Sequence, residues 1–203
     1  MARKNRRFRA ATRRGEEVSA SHGCDALPVD PFAITEANSI VVEAMPPSSK
    51  GFSGFLQRVG EEYGIAYATH IDSEGFRRFS ISHELGHYFL EGRIEALFAT
   101  SDIHESRAGF TSGEPYEMEA DHFAAGLLMP RKLFVPALER TGQGIAAIQA
   151  LAALCTTSLV ATAIQYAQQT SDAVAVIVST GRPCRLLLHT QRDRRAERTK
   201  LAS

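Results

Sequence analysis

The sequence predicts an α+β domain, because strand-like segments in its first third are followed by a series of amphipathic helices. A short strand is predicted at residues 40–43, and residues 55–59 and 64–70 alternate between apolar and polar well enough to be strands. Helical periodicity then dominates much of residues 80–169. The 203 residues are enough for one domain with a hydrophobic core, and 44% hydrophobic with 23% charged residues is a globular composition.

The first part of the chain is predicted to form a small sheet that leads into a helix. A short helix over residues 31–37 begins at a proline and precedes the first strand. The strands at 55–59 and 64–70 form a hairpin, and the segment FRRFSI connects this hairpin directly to a helix over residues 80–91. A polar, glycine-containing segment then extends over residues 92–115.

The rest of the chain is predicted to be helical before a terminal hairpin. Residues 116–129 form one helix, and Pro130 ends it or begins the next, PRKLFVPALER. Residues 145–169 form two helices divided around 156–158, where a hydroxyl side chain can cap the second helix. The segment AVAVIVSTGRPCRLLLHT is predicted to be a hairpin that turns at Thr180.

Both ends of the chain are expected to lie outside the domain, which we place at residues 25–190. Basic residues crowd residues 1–24, predicted to be disordered, and residues 191–203, a charged tail. Basic ends can hold nucleic acid electrostatically. However, only Phe8 is interleaved with the first arginines, and the helix SLVATAIQYAQQ has no Arg or Lys to meet phosphate. We therefore expect no direct nucleic-acid binding.

The cysteine content indicates a reducing compartment. Cys24, Cys155 and Cys184 are far apart and odd in number, which argues against a disulfide framework. No segment is long and apolar enough for a membrane span, and no apolar stretch follows the basic N-terminus as in a secretory signal. The Arg-rich N-terminus also has the composition of a transit peptide, but nothing else indicates an organelle. We expect a cytoplasmic protein without a membrane partner.

The segment HELGH at residues 83–87 is the first sign of chemistry. His83 and His87 are four residues apart, so both imidazoles project from one face of a helix and can bind one ion. Glu84 lies beside that ion, where it can accept a proton from a bound water. The pattern has only three fixed positions and also occurs by chance, so HELGH alone leaves a polar helix face as the alternative.

A catalytic zinc usually takes a third protein ligand. The candidates downstream are His104, Glu114, Glu117, Glu119, Asp121 and His122. Glu117 and Asp121 are four residues apart on one helix face, so that Glu117 can bind the ion while Asp121 accepts a hydrogen bond from a ligand histidine. Glu119 points about 200° away from Glu117, and Glu114 precedes the helix. The alternative is that Glu117 and Asp121 form an exposed acidic helix face, but the presence of HELGH upstream favours Glu117 as a metal ligand.

Together, RRFSISHELGHYFL and YEMEADHFAAGLLMP resemble the two conserved blocks of the ImmA/IrrE family of HExxH metallopeptidases, and PVDPFAI and GFSGFL fit the same family. The resemblance covers about residues 25–180. It implies a zincin-like fold with a gluzincin-type site, in which a small sheet packs on the HELGH helix and on a second ligand-bearing helix. The implied zinc ligands are His83, His87 and Glu117, with Glu84 as general base and Asp121 behind a ligand histidine. Mn2+ or Fe2+ suit the same ligands.

The resemblance also implies a function and a partner. Proteases of this family act on helix-turn-helix (Xre-type) repressors or antitoxins encoded nearby, and other members are non-proteolytic, toxin-side partners that retain the fold. We expect a zinc-dependent endopeptidase, with the binding protein as the alternative. The strand at 63–70 is expected to offer its edge to an extended substrate. Tyr116, His122 and His104 are open candidates for stabilising the transition state, or structural and surface residues.

Overall fold

A computed structural model describes residues 2–48, 51–99, 101–106, 113–171, 174–179 and 184–189 of the chain. These residues contain eight helices and six strands. The helices are α1 (Ala2–Ser21), α2 (Pro31–Ala37), α3 (Glu74–Phe89), α4 (Arg93–Leu97), α5 (Pro115–Leu128), α6 (Arg131–Thr141), α7 (Gly144–Cys155) and α8 (Leu159–Gln169). The strands are β1 (Val41–Ala44), β2 (Gly54–Val59), β3 (Glu62–Tyr67), β4 (Ile103–Ser106), β5 (Ala175–Ser179) and β6 (Cys184–His189).

The main sheet is mixed and has the strand order β1-β3-β2-β4. The pair β1 and β3 is parallel, while β2 pairs with β3 and with β4 in antiparallel fashion. This arrangement confirms the α+β class with a small mixed sheet. It also shows that the expected free edge at residues 63–70 is wrong, because β3 is hydrogen-bonded on both sides. The edges among the described strands are β1 and β4.

The HELGH helix is longer than the sequence predicted. The helix α3 begins at Glu74 because the Ser73 side chain accepts a hydrogen bond from the Phe76 N–H and caps it. FRRFSI is therefore its first part rather than a connection from the hairpin. The polar segment at 92–115 contains the short helix α4 and the strand β4, neither of which was predicted.

The C-terminal helices agree with the sequence prediction. The helix α5 begins at Pro115. Proline lacks a backbone N–H, but the N–H of the first helical residue has no acceptor within the helix, so nothing is lost there. The helix α7 ends before Thr156, which adopts a left-handed conformation. The helix α8 then begins after Ser158, whose side chain caps it by accepting a hydrogen bond from the Ala161 N–H. The strands β5 and β6 form the expected terminal hairpin. Its turn at residues 180–183 and the tail at 191–203 lie outside the described residues.

The N-terminal segment is a helix, which corrects the expected disorder of residues 1–24. Along α1, Ala11 and Val18 are buried in the core, whereas Arg6, Arg9 and Arg13 lie on the exposed side. The high arginine content suggested disorder, but the arginines are segregated from an apolar stripe that can be buried. The basic composition of α1 is therefore compatible with its packing against the core.

The helix α1 packs closely along α5 through two glycines. A Cβ atom on Gly15 would overlap the carbonyl oxygen of Phe123, and one on Gly126 would overlap the carbonyl oxygen of Thr12. Only glycine allows the two backbones to approach this closely. The helix α5 is thus a central element of the core.

No single helix among the described residues is long and apolar enough to cross a membrane. The helices α7 and α8 reach that length and composition only as a pair, and they are bent by 112° relative to each other.

Candidate metal centre

The site forms where α3 crosses α5. Gly86, the glycine of HELGH, lies at the crossing, where a Cβ atom would come within 3.0 Å of the Ala120 Cα. This contact is tighter than most side chains tolerate, so glycine lets the two helices meet closely. The crossing places the face with His83 and His87 opposite the face with Glu117, and it buries both histidines completely.

Three side chains offer their metal-binding atoms at one point. The Nε2 atoms of His83 and His87 are 3.1 Å apart, and Glu117 oxygens lie 3.3 Å from the first and 3.2 Å from the second. Ligands bonded to a tetrahedral zinc at about 2.0–2.1 Å are about 3.3 Å from one another. The two nitrogens and the two oxygens of the Glu117 carboxylate are thus spaced much as zinc ligands are, and the group of His83, His87 and Glu117 can hold a metal ion.

Asp121 determines which nitrogen of His83 faces this point. The Nδ1 of His83 donates a hydrogen bond to the Asp121 carboxylate at 2.9 Å, and both side chains are fully buried. The proton is thereby held on Nδ1, and the lone pair of Nε2 is left to bind an ion. This is the hydrogen bond that the sequence suggested for Asp121, and its role behind a metal ligand stays a prediction.

The charges in the site change the pKa values of both histidines. Burial opposes a charge on His83, but the hydrogen bonds that its ring donates to Asp121 and Glu117 outweigh this effect and raise the pKa of His83 to about 10. Burial lowers the pKa of His87 to about 3, and the neighbouring His83 adds to this effect. Burial would raise the pKa of Glu117, yet its bonds to the surrounding histidines hold that pKa far below the usual range. Without an ion, His83 therefore carries a proton on Nε2 as well, and a cation that binds this receptor of two imidazoles and one carboxylate would replace that proton.

Glu84 lies next to this receptor and is fully buried. The Ser106 hydroxyl donates a hydrogen bond to its Oε2 at 3.1 Å, while Oε1 has no hydrogen-bond partner among the described residues. A Cβ atom on Gly54 would approach Oε1 to 3.0 Å, so the glycine on β2 leaves room for the carboxylate. Burial raises the pKa of Glu84 to about 7, which suits a group that exchanges protons near neutral pH.

The strand β4 contributes two side chains to the site. The Nε2 of His104 donates a hydrogen bond to Glu117 at 3.0 Å, and its ring centroid is 4.5 Å from that of His87. Its side chain is 23% exposed, whereas those of His83 and His87 are fully buried, so His104 lies on the open side of the centre. Sequence reasoning left His104 as one candidate among several and did not find Ser106. The only signal is their spacing of two residues, which places both on one face of a four-residue strand.

The remaining candidates lie away from the ion-binding point. Glu119 points to the other side of α5 and pairs with Arg93 and Arg7. Tyr116 is 47% exposed and packs under the Arg93 guanidinium, and the His122 ring stacks on Phe8. Glu114 is the residue before α5. The structure therefore brings together His83, Glu84, His87, Glu117 and Asp121, and it adds His104 and Ser106.

The small mixed sheet and the two helices that carry HELGH and Glu117 fit a metallopeptidase-type domain. Residues 35–165 match the model of the Peptidase M78 family, the IrrE N-terminal-like domain, and the chain belongs to this family. A solved structure with a similar fold is a Mycobacterium tuberculosis transcriptional regulator, at 17% identity and a TM-score of 0.53. The match covers 83% of this chain and 51% of the regulator, so the chain spans about half of that protein. No curated protein matches the chain significantly.

Proposed function

We propose that the protein is a zinc-dependent endopeptidase that binds its ion through His83, His87 and Glu117. The observation that carries this proposal is a set of three separations of 3.1–3.3 Å, between the two Nε2 atoms and from each of them to one of the two Glu117 oxygens. Beside them lies the buried Glu84 carboxylate, which has one oxygen without a partner among the described residues. The alternative, a polar helix face, does not explain why three basic and acidic side chains are buried around a single point.

Glu84 acts as the general base in this proposal. When bound, zinc supplies the Lewis acidity that polarises a peptide carbonyl and makes water acidic enough to react near neutral pH. Glu84 accepts a proton from the attacking water through Oε1 and then delivers it to the nitrogen of the leaving amine. The Ser106 hydroxyl holds the other carboxylate oxygen, so that the base keeps one orientation during both transfers.

His104 is our candidate for the group that stabilises the transition state. It is the partly exposed histidine beside the ligands, and its Nε2–H already donates to a carboxylate oxygen in the site. A donor in this place can turn to the oxygen of the scissile carbonyl as negative charge develops there. Tyr116 and His122, the other candidates, are engaged with Arg93 and Phe8.

We further propose that the substrate is a helix-turn-helix repressor or antitoxin. The family membership and the transcriptional regulator among the similar structures support a role in transcription. An extended segment of the substrate would pair with β4, which is an edge of the described sheet and which carries His104 and Ser106. This strand takes the place of the edge that the sequence suggested at residues 63–70.

We expect a helix-turn-helix repressor to be encoded beside this chain's gene, and the test is its cleavage by the purified protein. Glu84→Gln is expected to retain zinc and to reduce cleavage by at least about 100-fold, because it removes the proton acceptor. Glu139→Gln, which changes an exposed carboxylate on α6, away from the site and from β4, serves as the control and is expected to cleave normally. Mass spectrometry of the products gives the cleavage position. Equal cleavage by Glu84→Gln would refute the base assignment, and a stable complex with an uncleaved repressor would indicate a binding protein.

A further inference from the structure

The helix α1 lies outside the residues that match the family model, which begins at residue 35. It nevertheless contacts α5, the helix that carries Glu117 and Asp121. At about 100° per residue, Glu117 and Asp121 face one side of α5, while Glu119, His122 and Gly126 face the opposite side. The first side meets α3, and the second side meets α1. The ligand-bearing helix is therefore held between the HELGH helix and the N-terminal helix.

The contact between α1 and α5 is tight along its length. The Phe8 ring stacks on His122 with the centroids 4.6 Å apart, and the glycine at position 15 lies against the α5 backbone. The other end of the contact is anchored to a further helix, because the Glu16 carboxylate accepts a hydrogen bond from the backbone N–H of Arg131 at the start of α6, at 3.2 Å. Thus α1 cannot move without displacing α5.

Glu119 connects this packing to the metal centre. Its carboxylate is almost completely buried, and Arg7 of α1 approaches one oxygen to 2.6 Å while Arg93 of α4 pairs with the other. The Arg93 guanidinium is in turn held over the Tyr116 ring, 3.9 Å from its centroid. A buried charge is stable only when it is paired, so these contacts fix the rotation of the first turns of α5.

This rotation determines the position of Glu117, two residues before Glu119. A carboxylate lies roughly 6 Å from its helix axis, so a rotation of about 10° displaces it by about 1 Å. A metal site requires its ligands within about 0.5 Å of the correct position. We propose that α1 is a positioning element of the metal centre, with Arg7 and Arg93 acting through Glu119 to hold Glu117 against His83 and His87. This inference rests on the proposed metal site.

The experiment compares zinc affinity in two variants of the full-length chain. Arg7→Gln removes one partner of Glu119, whereas Arg9→Gln makes the same chemical change on the exposed side of the same helix. Zinc dissociation constants are measured by competition with a chromophoric chelator. Mutation of a residue that hydrogen-bonds directly to a metal ligand typically lowers metal affinity by about 10- to 100-fold. Arg7 does not contact a ligand and acts through Glu119, so we expect Arg7→Gln to weaken zinc binding by about 3- to 10-fold. Arg9→Gln is expected to bind as the unchanged protein does.

Two further measurements separate positioning from general loss of structure. The metal-free Arg7→Gln protein is expected to retain its circular dichroism, while its Co2+ complex has an altered visible spectrum because one ligand is displaced. Adding Arg7→Gln to Glu119→Gln is expected to cause little further loss, because Glu119→Gln already removes the carboxylate with which Arg7 pairs.

Equal zinc affinity and equal Co2+ spectra for Arg7→Gln and Arg9→Gln would overturn the proposal. If Arg7→Gln does not fold, Glu119→Gln decides in its place, and normal zinc affinity in that folded variant would overturn the proposal. Failure of the unchanged protein to bind zinc would instead contradict the proposed function, before any variant is compared.

Discussion

His83 and His87 lie in the same buried space, yet their pKa values move in opposite directions. The Asp121 carboxylate supports a proton on His83, whereas burial outweighs the bond to Glu117 and keeps His87 neutral. The i and i+4 spacing that brings them together is a local property of a helix, so the sequence could predict it. The support of Glu84 by Ser106, and the space left by Gly54, depend on strands far away in the sequence, and no local pattern indicated either.

His122 provides a test of the packing at the level of a single residue. Burial lowers its pKa from 6.5 to about 4, while the nearby Asp121 carboxylate opposes the shift. The unfolded chain binds a proton near pH 6.5, but the folded protein resists protonation until about pH 4. The stabilisation is therefore fully present above pH 6.5 and is lost as the pH falls from 6.5 through about 4.

We expect His122→Phe, which keeps a ring against Phe8, to remove this dependence. Between pH 7 and pH 4, the free energy of unfolding of the metal-free protein should fall by about 3 kcal/mol more than that of the variant. Urea unfolding at a series of pH values measures the difference. His70→Gln, a change at an exposed histidine, should follow the unchanged protein. Parallel curves for the protein and His122→Phe would mean that His122 is not buried.

At the level of elements, α5 is positioned by close contacts at glycines. Gly86 allows α3 to approach one face of α5, and Gly15 with Gly126 allows α1 to approach the other. The sequence predicted α5 itself from its periodicity. It did not predict that α3 and α1 pack against α5, because a close contact at a glycine leaves no periodic pattern in the sequence. In addition, the arginine content of α1 obscured its apolar stripe.

Gly15→Ala tests whether α1 is packed as closely as the structure indicates. Alanine is favoured over glycine in a helix by about 1 kcal/mol, so the change would stabilise a free helix. Here the added Cβ overlaps the α5 backbone, and we expect a net destabilisation of about 1–3 kcal/mol in urea unfolding. Gly64→Ala is the matched control, since its Cβ would lie an ordinary 3.7 Å from the nearest atom, the carbonyl oxygen of Val41. A more stable Gly15→Ala protein would mean that α1 is not in contact with α5.

At the scale of the whole molecule, the class of fold was predictable and the strand order was not. The helix α5 begins at Pro115 and α8 begins after Ser158. Both starts follow from local capping and proline preferences, so the sequence located them well. The order β1-β3-β2-β4 depends on pairing between distant segments. The strand β4 is only four residues long, too short for its alternation to stand out, yet it forms an edge of the sheet and borders the site.

The whole fold brings α3, α5 and β4 together around one point, and each of these elements supplies different side chains to the site. The histidines and Glu84 come from α3, the carboxylate ligand comes from α5, and His104 with Ser106 comes from β4. The helix α1 lies behind this assembly, on the far side of α5. The metal centre is therefore a property of the tertiary structure and requires the folded chain.

The most direct measurement is the metal content of the full-length protein purified from a zinc-replete culture. Inductively coupled plasma mass spectrometry should find about one zinc per chain, because one set of three ligands binds one ion. The double variant His83→Ala, His87→Ala should lose the metal, while Glu105→Gln, changed on an exposed side chain, should retain it. A folded protein that contains no metal, or a double variant with undiminished zinc, would contradict the metal centre at these residues.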